Sequence, residues 1–245
     1  MGDLADVYEE TRNSIRALIE SRPPQDLDRQ VPATPRWRVR DIVAHLIGDL
    51  ESIRAGDFPE QFFQSFGDAA AIADLNAWTD GHVAKRAGKP ADELFKEWDE
   101  ATAELVPMMR GHEAWPERVP FFVDRVLITD LGVHQQDIYG AFDVKRDRES
   151  PPVKIGVAGY IAVIDMRLKA DGGGSLAFEA DKSWVAGENG GEPTATVRAT
   201  RFELFRALSG RRSPDQIRSY DWKGDPEPFI GYFYPYGVRS DALVE

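Results

Sequence analysis

Apolar residues recur at helical spacing through the first half of the chain. Leu4, Val7, Tyr8, Thr11, Ile15, Leu18 and Ile19 keep to one face over residues 3–21, and the Arg22, Pro23, Pro24 run stops them. PATPRW at 32–37 reads as a loop. Val39, Ile42, Val43, Leu46, Leu50 and Ile53 then form a second stripe that Gly56 closes. Further helices are predicted over about 70–87 and 91–109, separated by GKP, and over about 119–140. The aromatic stretch FPEQFFQSF at 58–66 carries no clear period.

The pattern changes after KRDRESPP at 145–152, a polar, proline-ended boundary. A helix at about 153–169 is followed by a glycine turn. Leu176, Phe178 and Ala180 then alternate with more polar neighbours, as in a half-buried strand. ENGGEP at 188–193 marks another turn and TATVRA a second strand. Thr200 and Glu203 have the spacing of a capping box for a helix that buries Phe202, Phe205 and Leu208 and ends at Gly210. The fold class is therefore α+β, a four-helix bundle over residues 1–147 followed by a small α+β domain over 148–245.

Composition narrows the function. A formal charge of −12 with no basic cluster argues against nucleic acid or an anionic membrane as partner. There is no cysteine, which excludes disulfides, thiolate ligands and a cysteine nucleophile; any thiol chemistry must take its sulfur from a small molecule. The amino terminus is acidic and lacks the apolar run of a secretory signal, and stretches such as YIAVI at 160–164 are too short to span a bilayer. A cytoplasmic protein is expected.

The candidate chemistry lies in DLGVHQQDIYG at 130–140. Asp130, His134 and Asp137 fall at i, i+4 and i+7, on the face that begins with Val123 and Leu127. A buried carboxylate or imidazole needs a partner, and at i, i+4 the two can grip one cation. The alternatives are a plain Asp130–His134 hydrogen bond or a wet groove. A third ligand must come from the other three histidines. His82 and His112 sit in polar settings near helix ends and read as surface residues. His45 lies on the flank of the second stripe, either leaning towards a neighbouring helix or packed as an edge-of-core histidine. Asp137 reads equally as support for a ligand histidine or as an arginine's partner.

Two segments carry a family resemblance. TPRWRVRDIVAHL and VDRVLITDLGVHQQDIYGAF resemble the hallmark segments of the mycothiol-dependent maleylpyruvate isomerase family, within the DinB-like superfamily of four-helix bundles. ATVRATRFELFRALSGRRS is similar to that family's carboxy-terminal domain. The resemblance implies a divalent metal ion, usually zinc, held by His45, Asp130 and His134, with mycothiol as the thiol cosubstrate and a small electrophile as substrate. Asp130 stands where much of the family has glutamate. Arg38 stands where a helix-capping Ser or Thr is usual; Asp41 then either compensates through the helix dipole, the favoured reading, or orients His45.

Two imidazoles and a carboxylate leave a coordination position open, the mark of a catalytic site. A cation there lowers a thiol's pKa, for cis–trans isomerisation or for S-transfer; the ligand set serves both. Arg211, Arg212 and Arg239 are the cationic groups available for the cosubstrate or a diacid, although each reads more simply as a surface residue. The competing class is a non-catalytic metal- or small-molecule-binding protein on the same scaffold. The oligomeric state is left open.

Overall fold

The first apolar stripe folds as α1 (Leu4–Glu20), started by Asp3, whose carboxylate accepts from the Ala5 amide at 3.0 Å. The structure, a computed structural model, describes residues 3–60, 68–187 and 191–245. The first three residues of ENGGEP and most of the aromatic FPEQFFQSF stretch lie outside the described residues. The remaining predicted helices of the first half are α2 (Val39–Arg54), α3 (Ala69–Lys85), α4 (Ala91–Met109) and α5 (Val123–Ala141). The last begins later than its pattern predicts, because Pro116 and Pro120 carbonyls close turns onto the Val119 and Val123 amides.

Two compact units emerge, Met1–Arg146 and Asp147–Glu245. In the first, α1 packs on α5 and α4, and α2 packs on the same two helices, so the four close a ring; α3 lies against α2. Tyr8, Ile15, Ile42, Ile47, Leu50 and Trp98 are fully buried in its centre. α5 is unusual in being buried on all sides from Leu131 to Tyr139, with His134, Gln135, Gln136 and Asp137 inside rather than on a wet face.

Asp41 resolves the missing cap of α2. Its carboxylate accepts from the Arg38 backbone amide at 2.9 Å and from the Arg38 side-chain Nε at 3.0 Å. That contact satisfies an amide at the helix entrance and places negative charge in the first turn.

In the second unit α6 (Pro151–Asp171) leads to a four-stranded sheet of β1 (Ser175–Glu179), β2 (Ser183–Gly187), β3 (Ala195–Arg198) and β4 (Asp221–Lys223). The order is β2-β1-β3-β4; β1 runs antiparallel to β2 and parallel to β3, and β3 antiparallel to β4. α7 (Arg201–Leu208), α8 (Pro214–Arg218) and α9 (Glu227–Ile230) complete it. The half-buried reading of the first strand is corrected: β1 is central, and Ala177 is buried along with Leu176 and Phe178. β2 and β4 were not predicted, being edge strands of five and three residues that are too short to show a clear alternation. No helix among the described residues is long and apolar enough to cross a membrane.

The Thr200 box is half made. Thr200 Oγ1 accepts from the Glu203 amide at 3.2 Å, but the Glu203 carboxylate turns away to a two-point pair with Arg212, at 2.8 and 2.9 Å. Burial alone would raise the Glu203 pKa; the Arg212 hydrogen bond and charge hold it below the ordinary value. A carboxylate lowered in this way stabilises the fold above its unfolded pKa and loses that contribution as pH falls through the folded one. Glu203→Gln should therefore melt below the parent at about pH 7, and the two melting curves should converge towards about pH 3. A gap that stays constant with pH would contradict the assignment.

Candidate metal centre

Helix packing, not sequence proximity, assembles the site. α2 carries His45 and, one turn later, Asp49; α5 carries Asp130, His134 and Asp137; the two helices are in contact. His45 Nε2 lies 3.4 Å from one Asp130 oxygen, and His134 Nε2 lies 3.6 Å from the other. The two imidazoles stand edge-on, centroids 5.0 Å apart. Trp37, at the entrance to α2, lies against both rings, at 5.0 and 5.8 Å. His45, Asp130 and His134 thus converge, each offering an atom to a common point.

The spacing fits a cation. Ligand atoms about 2.1 Å from a tetrahedral zinc ion stand about 3.4 Å from one another, close to the separations here. His45 and His134 are only 3% and 4% exposed, whereas the Asp130 side chain keeps 29% of its surface in solvent.

His134 is fixed from behind. Its Nδ1 lies 3.0 Å from Asp137 Oδ2, and Asp137 is 1% exposed. A carboxylate can only accept there, so Nδ1 carries the proton and Nε2 is left as a lone pair facing Asp130. The contact agrees with the reading of Asp137 as support for a ligand histidine.

Sequence reasoning missed two residues. Asp49 Oδ1 lies 3.3 Å from His45 Nδ1 and 3.3 Å from Nδ1 of His82. The surface reading of His82 is thereby corrected: α3 turns it inwards against α2, where it is buried and stacks with His45 at 6.0 Å. Gly48 makes the approach possible, since a Cβ there would stand 2.1 Å from the His82 ring. Asp49 repeats the i, i+4 spacing of Asp130 and His134, a legible signal; nothing in TDGHVAKR marked His82. Burial raises the Asp49 pKa well above the carboxylate range, with His45 opposing and Asp130 adding to the rise. Burial, helped by the charge of Arg86, lowers His82 to about 4. Tyr8, read only as core, is held protonated by burial, with the Asp49 and Asp130 charges adding to the effect. His112 is exposed, as expected.

The arginines belong to the second unit. Arg211 is buried and its Nη1 donates to the Ser209 carbonyl at 2.7 Å; Arg212 is buried between Glu203 and Glu245. Neither is the surface residue its context predicts. Arg239 is half-buried and its Nε donates to the Asp241 carbonyl at 2.9 Å.

The family model for the mycothiol maleylpyruvate isomerase N-terminal domain matches residues 8–139. Among solved structures, the chain is similar to a mycothiol-dependent maleylpyruvate isomerase in a histidine-to-alanine mutant form, with a TM-score of 0.53, 12% identity, and 85% of this chain and 88% of that one covered. The same enzyme without the mutation gives a TM-score of 0.51 at the same identity and coverage. At that identity the likeness establishes the α+β fold. No curated protein matches.

Proposed function

The chain belongs to the mycothiol maleylpyruvate isomerase N-terminal domain family, and from that membership we propose an enzyme that activates mycothiol at a divalent cation, zinc, for reaction with a small electrophile. The observation that carries the reading is the convergence of His45, Asp130 and His134 at ligand spacing inside the bundle.

His45 Nε2, His134 Nε2 and an Asp130 oxygen would hold the cation. When bound, it supplies the positive charge that brings a thiol's pKa down from about 8.5 into the neutral range. The thiol supplies a sulfur nucleophile, released again in a cis–trans isomerisation and retained by the product in an S-transfer. The rest falls to the chain's own side chains. Asp137 keeps the His134 proton on Nδ1, so that Nε2 keeps the lone pair a cation would take. Trp37 walls both imidazoles and shields them from water. Tyr8 keeps its hydroxyl proton beside the two carboxylates. Asp130, the most exposed of the three ligands, marks the side from which thiol and substrate arrive.

The test is a rate. The purified chain, stripped with a chelator and reloaded with zinc, is offered mycothiol with monobromobimane and, separately, with maleylpyruvate. Zinc-dependent addition to the bimane alone selects S-transfer, and zinc-dependent turnover of maleylpyruvate selects isomerisation. Background rates with both, with or without zinc, would leave a binding protein and overturn the enzyme reading.

A further inference from the structure

Behind the proposed centre lies a second convergence of donors. His45 Nδ1, Asp49 Oδ1 and His82 Nδ1 all lie within 4.8 Å of one another, and both carboxylate–imidazole separations are 3.3 Å. Each residue is more than nine-tenths buried. Yet none of the three atoms has a hydrogen-bond partner among the described residues. At 3.3 Å an N–H aimed at the carboxylate would form a hydrogen bond; here the nitrogens are near Asp49 without pointing at it. Three buried polar atoms left this way are costly. A cation seated among them would satisfy all three at once, and 3.3 Å is close to the edge of a zinc tetrahedron, about 3.4 Å.

The local structure also prepares His82 for this. Its Nε2 lies 3.0 Å from Ser52 Oγ, and a proton placed there leaves Nδ1 with a lone pair available to a cation. Gly48 lets the ring rest on the α2 backbone where any Cβ would collide.

We propose that His45, Asp49 and His82 form a second divalent-cation seat, back to back with the first, in which His45 is the shared ligand, Nε2 facing one ion and Nδ1 the other. The inference rests on the first seat only through that shared ring. Filling both seats requires His45 to release its remaining ring proton to water and to bridge as an imidazolate.

The test is stoichiometry read without activity. Calorimetric titration of the metal-free full chain with zinc chloride should find two equivalents. His82→Gln and Asp49→Asn, the latter nearly isosteric, should each stop at one equivalent, as should His134→Gln. Thermal melts of each variant identify any that is unfolded. One equivalent in the parent, kept by His82→Gln and Asp49→Asn but lost by His134→Gln, would overturn the second seat and leave the first standing. Two equivalents surviving in both His82→Gln and Asp49→Asn would also overturn it. No zinc bound by the parent would overturn both seats.

Discussion

His45→Ala will leave the chain without zinc and return thiol addition to its solution rate. Of the three proposed ligands it is the most deeply buried, and it is the residue common to both candidate clusters. Even removal of a group that merely supports a ligand commonly lowers metal affinity 10–100-fold, so loss of His45 itself should lower it by more than about 100-fold. The rate follows from ionisation. A thiol of pKa about 8.5 is about 3% thiolate at neutral pH, so losing the cation lowers the rate by up to about 30-fold through ionisation, before any loss of positioning. Alanine is a good helix former, and α2 should survive. Elemental analysis of the purified variant, circular dichroism and the bimane rate check each part. A folded variant that keeps near-stoichiometric zinc would sink the ligand assignment.

Trp98→Ala will give the largest fall in stability of any single substitution considered. Trp98 is fully buried on α4, and its indole Nε1–H donates to the Tyr8 hydroxyl at 3.4 Å. The Arg12 guanidinium lies 5.5 Å from the ring centroid, so the ring joins α4 to α1 by packing, a hydrogen bond and a cation–π contact together. Truncating a buried Trp costs about 3–5 kcal/mol, against a total of about 5–15 kcal/mol for a typical domain. For a domain of this size the melting temperature should drop by about 10 °C. A shift of only about 1 °C would mean that the ring closing α1 against α4 does not depend on this side chain.

The bundle was legible because its stripes keep a helical period from Leu4 to Ile19 and from Val39 to Ile53, with the same spacing at Val123 and Leu127. His45, Asp130 and His134 were legible through one spacing and one resemblance. His82 was not: α3 has few buried positions, so no stripe tells which face turns inwards. Arg211 and Arg212 misled for a related reason. GRR looks solvated, yet Arg212 is buried between Glu203, on the preceding helix, and Glu245, near the end of the chain, and no local pattern announces a charge buried by two such acids. β2 and β4 escaped because an edge strand of three to five residues need bury little and so leaves no alternation to read.

The uneven exposure of the cluster carries a kinetic consequence. Asp130 is its doorway, while Asp49 and His82 each keep less than a tenth of their surface in solvent. Exchange with bulk ions should therefore be brisk at the front and slow at the rear. An ion in the proposed rear seat would leave as α3 breathes away from α2, which would tie its residence time to the motion of one helix rather than to the chemistry in front.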